Sequence, residues 1–219
     1  MLVLVADWLN AGRTKKNAAS GMDRFEDLPD HVLEKLLSYL PSQEAVQTCV
    51  LAKRWRYIWK SVPSLRFLTD KFDTHEETTC FVNTLIELRD PTVPLHVCEM
   101  VHYDDIESWL KYAVSCQMQV LLVEKPDYHV HGELTNNSVI SQHLTRLELE
   151  MVQFELNHSL DLSSCQALEV LDIHDCMINL GDISSKSLRH LRIADSVLCP
   201  ANIRTRISAP GLVHGFQIQ

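Results

Sequence analysis

The chain has 219 residues, 46% of them hydrophobic and 22% charged, a globular composition that excludes a disordered tail or a collagen-like rod. Lysine and arginine total 20 against 29 aspartate and glutamate, and the net charge of −9 disfavours a protein that wraps nucleic acid or coats a membrane. A protein partner fits better. Seven cysteines (Cys49, Cys80, Cys98, Cys116, Cys165, Cys176, Cys199) are odd in number and form no Cys-x-x-Cys pair. That argues against a disulfide framework or zinc ribbon and for a reducing compartment, cytoplasm and/or nucleus.

The apolar opening Met1 to Ala6 is interrupted by Asp7 too early for a secretory core, and no later stretch approaches the roughly 18 apolar residues that span a bilayer. Residues 10–22 are small and polar without periodicity and read as a flexible lead-in, with Arg13, Lys15 and Lys16 as solvated charge. Acidity is concentrated later: residues 23–63 carry six acids and six bases, residues 64–219 carry 22 acids against 11 bases.

From Leu28 the spacing predicts a helix. Pro29 suits a first helical position, Asp30 favours the positive helix start, and Val32, Leu33, Leu36, Leu37 and Leu40 form one apolar stripe before Pro41 ends it. Ser42 is placed to cap a second helix with Ala45, Val46, Cys49 and Val50 on its apolar side. A third puts Leu51, Trp55, Ile58 and Trp59 on one face, with Lys53, Arg54, Arg56 and Lys60 elsewhere, before Pro63. Three short helices bury little of themselves, so they require either the rest of the chain or a partner. On the residues alone, a helical hairpin with leucines as core and tryptophans as filler competes with a docking module.

The run Asp27-Leu28-Pro29-Asp30-x-Val32-Leu33, then Leu36-Leu37-x-x-Leu40-Pro41, Val46, Cys49-Val50-Leu51 and Lys53-Arg54-Trp55-Arg56 resembles an F-box, and its ending resembles the plant F-box/LRR-repeat proteins in particular. The resemblance implies docking onto a Skp-type adaptor, which holds a cullin and a RING protein. It assigns adaptor contact or its immediate support to Leu28, Pro29, Val32, Leu36, Leu40, Val46, Val50, Leu51 and Trp55.

Beyond residue 64 the chain repeats itself. Leu144, Leu147, Leu149, Val152 and Phe154 recur as Leu168, Leu171, Ile173, Cys176 and Ile178, and as Leu188, Leu191, Ile193, Ser196 and Leu198. This fits Leu-x-x-Leu-x-Leu-x-x-Asn/Cys-x-Leu, a strand followed by an inward turn, although only Cys176 keeps the expected ninth residue. A weaker copy runs Met118, Leu121, Val123, Pro126, Tyr128, and a last one Val213, Phe216, Ile218. Ahead of them, Ile106, Trp109, Leu110, Ala113 and Val114 have helical spacing, and Val93 to Val97 reads as a strand. The resemblance thus extends over nearly the whole chain, and implies an array shorter than that of family members, which often end in an FBD domain. We read the chain as shortened at its C-terminus.

The expected fold is α+β in parts: a flexible segment 1–22, a three-helix F-box at 23–65, and an irregular α/β leucine-rich-repeat solenoid at 66–219. Its outward strand residues, Arg146, Glu148, Glu150, Val170, Asp172, His174, His190, Arg192 and Ala194, form one concave face. Of these, Arg146, Glu148, Glu150, Asp172, His174, His190 and Arg192 are the candidate target-binding residues. No Gly-rich phosphate loop, Gly-x-Ser-x-Gly elbow or His-Glu-x-x-His occurs. His129-x-His131 and Asp172-Ile173-His174-Asp175-Cys176 offer metal-type ligands, but Cys176 turns inward while Asp172 and His174 face out, so they do not converge. We expect no cofactor or metal, no catalysis, and no nucleic-acid or membrane partner. Two readings stay open: a substrate-recognition subunit of a cullin–RING ubiquitin ligase with an unknown target, or an adaptor-binding protein without target capture that competes with complete relatives.

Overall fold

The computed structural model describes residues 27–51, 53–68, 74–101, 106–124, 141–152, 159–178, 182–198 and 205–215. The expected lead-in 1–22 lies outside them, as do Pro126, Tyr128, His129, His131, Phe154, Cys199, Phe216 and Ile218. The chain divides into two compact units, residues 1–93 and 94–219.

In the first unit, helix α1 (Asp30–Leu37) begins one residue later than expected, because Pro29 is its N-cap with extended backbone, φ −61° and ψ 151°. Its carbonyl accepts the amides of Val32 at 3.0 Å and Leu33 at 3.3 Å, so proline supplies the first helical acceptor and lacks only a donor that would go unused. Helix α2 (Ser42–Gln47) repeats the device with Pro41 as N-cap. Ser42 therefore does not cap; its Oγ accepts the Arg66 amide at 2.9 Å. A 3-10 turn (Thr48–Val50), helix α3 (Trp55–Ile58), a second 3-10 turn (Trp59–Ser61), strand β1 (Ser64–Phe67) and helix α4 (His75–Leu88) follow. Helix α4 was not anticipated. Thr74 caps it, accepting the Glu77 amide at 3.3 Å, with Glu76 and Glu77 in its first turn.

Leu33, Leu37, Val46, Trp55, Ile58, Trp59 and Val62 form the core of this unit. Leu51 was expected on the same face as the tryptophans but is 67% exposed. The backbone turns between the 3-10 segment and α3, so the helical spacing from Leu51 to Trp55 is broken. Polar clamps fasten the pieces: Arg54 bonds Asp30 Oδ1 at 2.6 and 2.8 Å and the Leu28 carbonyl, and Ser64 Oγ donates to the Ser38 carbonyl at 2.7 Å. Arg89, only 3% exposed, donates to the carbonyls of Val93 at 3.0 Å, Asp90 at 3.2 Å and Val62 at 3.3 Å.

In the second unit, the first strand is β2 (Val97–Val101), starting where the expected strand over 93–97 ends. Val93 closes a turn onto Asp90 at 3.3 Å, Pro94 has no amide to give a ladder, and the Leu95 amide bonds the Cys116 carbonyl at 2.8 Å. Helix α5 (Ile106–Ser115) matches expectation, with Trp109, Leu110 and Ala113 buried. It ends on Gln117 at φ 60°, the Met118 amide reaching the Ala113 carbonyl at 3.3 Å and the Gln117 amide that of Val114 at 3.1 Å, a left-handed closure glycine would favour.

Strands β3 (Val120–Glu124), β4 (Arg146–Glu150), β6 (Val170–His174), β9 (His190–Ala194) and β12 (His214–Gly215) continue the sheet in the order β2-β3-β4-β6-β9-β12, all parallel. Leu121, Leu147, Leu171 and Leu191 are register partners, as are Val123, Leu149, Ile173 and Ile193, and all are buried. Two smaller parallel sheets return the chain between these strands: β7 (Met177–Ile178) with β10 (Val197–Leu198), and β5 (Ser159–Asp161), β8 (Asp182–Ser184) and β11 (Arg206–Ser208) in that spatial order.

Strands β4, β6 and β9 end on left-handed residues, Met151 (φ 53°), Asp175 (φ 49°) and Asp195 (φ 48°). Aspartate tolerates that region; methionine pays for it. The final copy departs from expectation by one residue: His214 pairs with His190 and Gly215 with Leu191, which leaves Val213 outside the inward row at 65% exposure.

Met151→Asn and Gln117→Gly should each stabilise the protein by about 0.5–1 kcal/mol, read as a rise in urea midpoint. Arg89→Met, which strips three carbonyls of their donor, should cost roughly 2–4 kcal/mol in the same titration.

Candidate functional site

Two surfaces carry the candidate residues. In the first unit the nine expected docking residues separate by burial: Val46 and Trp55 are core, Leu28, Val32 and Leu40 are half-buried, and Pro29 is exposed. Leu36 at 44%, Val50 at 50% and Leu51 at 67% exposure are uncovered apolar side chains. Tyr39 and Tyr57, which the sequence reading did not single out, are equally uncovered. Lysines lie over these rings, Lys35 at 5.1 Å from the Tyr39 centroid and Lys60 at 5.8 Å from that of Tyr57. Each ring thereby carries a cation over its face. A signal was present in sequence: Tyr39 lies three residues after Leu36 and Tyr57 two after Trp55, both off the buried stripe.

In the second unit, strand alternation puts all seven expected target residues on one sheet face. Glu148, Asp172 and Arg192 are register partners in one row, Glu150 and His174 share the next, and Arg146 aligns with Val170 and His190. Ala194 was expected there too and is buried, a methyl shaded by longer neighbours. Arg146 pairs with Glu148 along β4, and Arg192 lies 3.8 Å from Asp172. His174 places Nδ1 at 3.1 Å from Asp175, without a hydrogen bond there, and Nε2 at 3.1 Å from Asp195, between two successive turns. Glu99 and Glu124, absent from the sequence reading, join this face through β2 and β3. The inward pair Leu121 and Val123 already implies that Glu124 points outward. Burial, then the neighbouring charges of Glu150 and Glu99, push the Glu124 carboxyl above the ordinary carboxylate range. A shallow depression of about 260 Å³ runs over these strands.

Cys176 belongs to the core behind this face. Its Sγ donates to the carbonyls of His174 at 3.2 Å and Leu149 at 3.4 Å, while its amide donates to Ser196 Oγ at 3.1 Å. Ser196, which departs from the expected Asn/Cys, does comparable work by also donating Oγ to the Ala194 carbonyl at 2.9 Å. Burial pushes the Cys176 thiol up to about 11, with backbone hydrogen bonds at Val152 and His174 pulling the other way, so the group is a buried donor and not a thiolate nucleophile at neutral pH.

Comparison with known proteins bears on the first unit. Residues 25–67 match the F-box domain model, so the chain is an F-box protein. Among its relatives in Arabidopsis thaliana, an F-box/FBD/LRR-repeat protein is 28% identical over 192 residues, covering 84% of this chain and 41% of the relative. An FBD-associated F-box protein is 28% identical over 219 residues (85% and 50%), and another is 32% identical over 129 residues (52% and 29%). These matches place the chain in the plant F-box/FBD/LRR-repeat family. It spans 39–53% of the length of four such relatives. No solved structure matches.

The raised thiol makes a pH prediction. Because the folded value exceeds the ordinary 9.0, its stabilising effect is complete below pH 9 and is lost as pH rises towards 11. Urea midpoints of wild type and Cys176→Ala should therefore converge between these pH values, the difference shrinking by roughly 2 kcal/mol.

Proposed function

We propose that the protein is a substrate-recognition subunit of an SCF-type cullin–RING ubiquitin ligase: a non-catalytic bridge of cytoplasm and/or nucleus, with a three-helix F-box at 23–65 docking a Skp-type adaptor. Residues 66–219 would form a short leucine-rich-repeat solenoid whose open face holds a target protein. Ubiquitin transfer is accelerated by proximity, the target lysine being held near an enzyme bound elsewhere.

The observation that carries this reading is the set of apolar side chains left uncovered within the F-box match, Leu36, Val50 and Leu51, beside a core of Val46 and Trp55 that is already complete. Exposed apolar groups on a small helical unit are what an adaptor would bury. On the second face, mixed charge set on a rigid sheet supports recognition of protein more than of a phosphate-dense ligand. The competing reading is adaptor binding without target capture.

Co-purification with a Skp-type adaptor tests it. Wild type should hold the adaptor, and a Leu36→Asp, Leu51→Asp variant should lose at least about tenfold in affinity with unchanged hydrogen exchange in both units. Both positions are exposed, so the fold tolerates the charge; Val46→Asp would instead unfold the unit. A wild-type chain that stays soluble and free of adaptor refutes the ligase role. Adaptor binding with no captured target in crosslinked extracts selects the competitor.

A further inference from the structure

Base stands beside acid across most of the second unit's strands. Arg192 lies 3.8 Å from Asp172, Arg189 3.8 Å from Glu169 and Arg206 3.9 Å from Asp182, each pair bridging neighbouring strands or the residues just before them. Two register pairs set acid against acid: Glu148 with Asp172, where Arg146 pairs with the first and Arg192 lies beside the second, and Glu124 with Glu150 across β3 and β4. Directly opposed like charges, one strand spacing of about 4.8 Å apart, destabilise a sheet.

Among the described residues no lysine or arginine pairs with Glu124 or Glu150. Glu150's other register partner is His174, whose two ring nitrogens already lie at Asp175 and Asp195, 3.1 Å each. Glu99 stands diagonally across β2 and adds a third carboxylate, which with burial accounts for the raised carboxyl of Glu124. Asp172 Oδ1, in the same depression, is closed to solvent and accepts no hydrogen bond.

The space among these carboxylates also has an apolar wall. Leu122 points outward between Glu99 and Glu148 in register and lines the depression. A hydrated metal ion gains nothing from a leucine, whereas the methylene stem of a lysine or arginine packs on it while the charged head reaches the carboxylates. The face is open across five strands, so such a side chain arrives on a stretch of polypeptide laid over the sheet.

We propose that the open face of this sheet docks an extended basic protein segment, seating a lysine or arginine against Leu122 between Glu99, Glu124 and Glu150. This rests on the reading of that face as the target surface and specifies what the surface takes.

The test uses the full chain and a short fluorescein-labelled peptide of alternating arginine and serine, with a glutamate–serine peptide as control, followed by fluorescence anisotropy. Wild type binds the arginine peptide alone. Glu124→Gln with Glu150→Gln lowers the affinity by about tenfold or more while raising the melting temperature, a combination that a purely structural role would not give. Glu76→Gln with Glu87→Gln removes the same charge from α4 and changes affinity less than about twofold. Equal losses in the two variants, indifference to peptide charge, or displacement of the peptide by magnesium alone overturns the proposal. The same variants should still co-purify with adaptor. Adaptor bound with no peptide selectivity refutes this inference only, and peptide bound with no adaptor refutes the ligase reading only.

Discussion

Strict parallel register governs the second unit: β3, β4, β6 and β9 pair residue for residue with no slip, so each side chain stands beside its counterpart one copy away. A slip of a single residue would turn the leucines outward and the glutamates into the core. The buried rows headed by Leu121 and Val123 forbid it. Everything on the open face inherits its position from that constraint, including the acid–base pairs and the opposed carboxylates of Glu124 and Glu150.

The turns make the register repeatable. After β4, β6 and β9 the backbone flips into the left-handed region, and after β4 and β6 the ladder continues one residue further, with the Met151 amide on the His174 carbonyl at 3.1 Å and the Asp175 amide on that of Ala194 at 3.2 Å. Cys176 and Ser196 then occupy the inward step and satisfy carbonyls that the turning chain would otherwise bury unpaired. A thiol and a hydroxyl both serve because the step requires a short side chain with one donor, and asparagine is only one way to supply it.

This explains what the sequence could and could not reveal. Rows of buried leucines are legible because apolar spacing reports them directly, and Leu144, Leu168 and Leu188 lie where the pattern puts them. Short return strands such as β7 and β8 escaped because segments of two or three residues carry no periodicity. Helix α4 escaped for another reason: Thr78, Cys80 and Thr84 dilute its apolar stripe, and its clearest mark is the Thr74 cap. The last copy slipped by one because a two-residue edge strand, with Gly215 opposite Leu191, offers too few apolar positions to fix a register. Glu124 was readable from its neighbours, yet its significance was not, since that depends on which strand lies beside it.

The two units leave different chemistry uncovered, and the difference bears on how each would recognise a partner. The first exposes leucine, valine and tyrosine around a finished core, so its contact gains chiefly from apolar burial and tolerates salt. The second displays charge around an outward Leu122 on its open face, so its contact is selective and weakens as salt screens it. A constant partner is well served by the first kind of surface, where area and shape set affinity. A changing or conditional partner is better served by the second, where the replacement of one glutamate alters which segments are accepted while the leucine rows beneath stay intact.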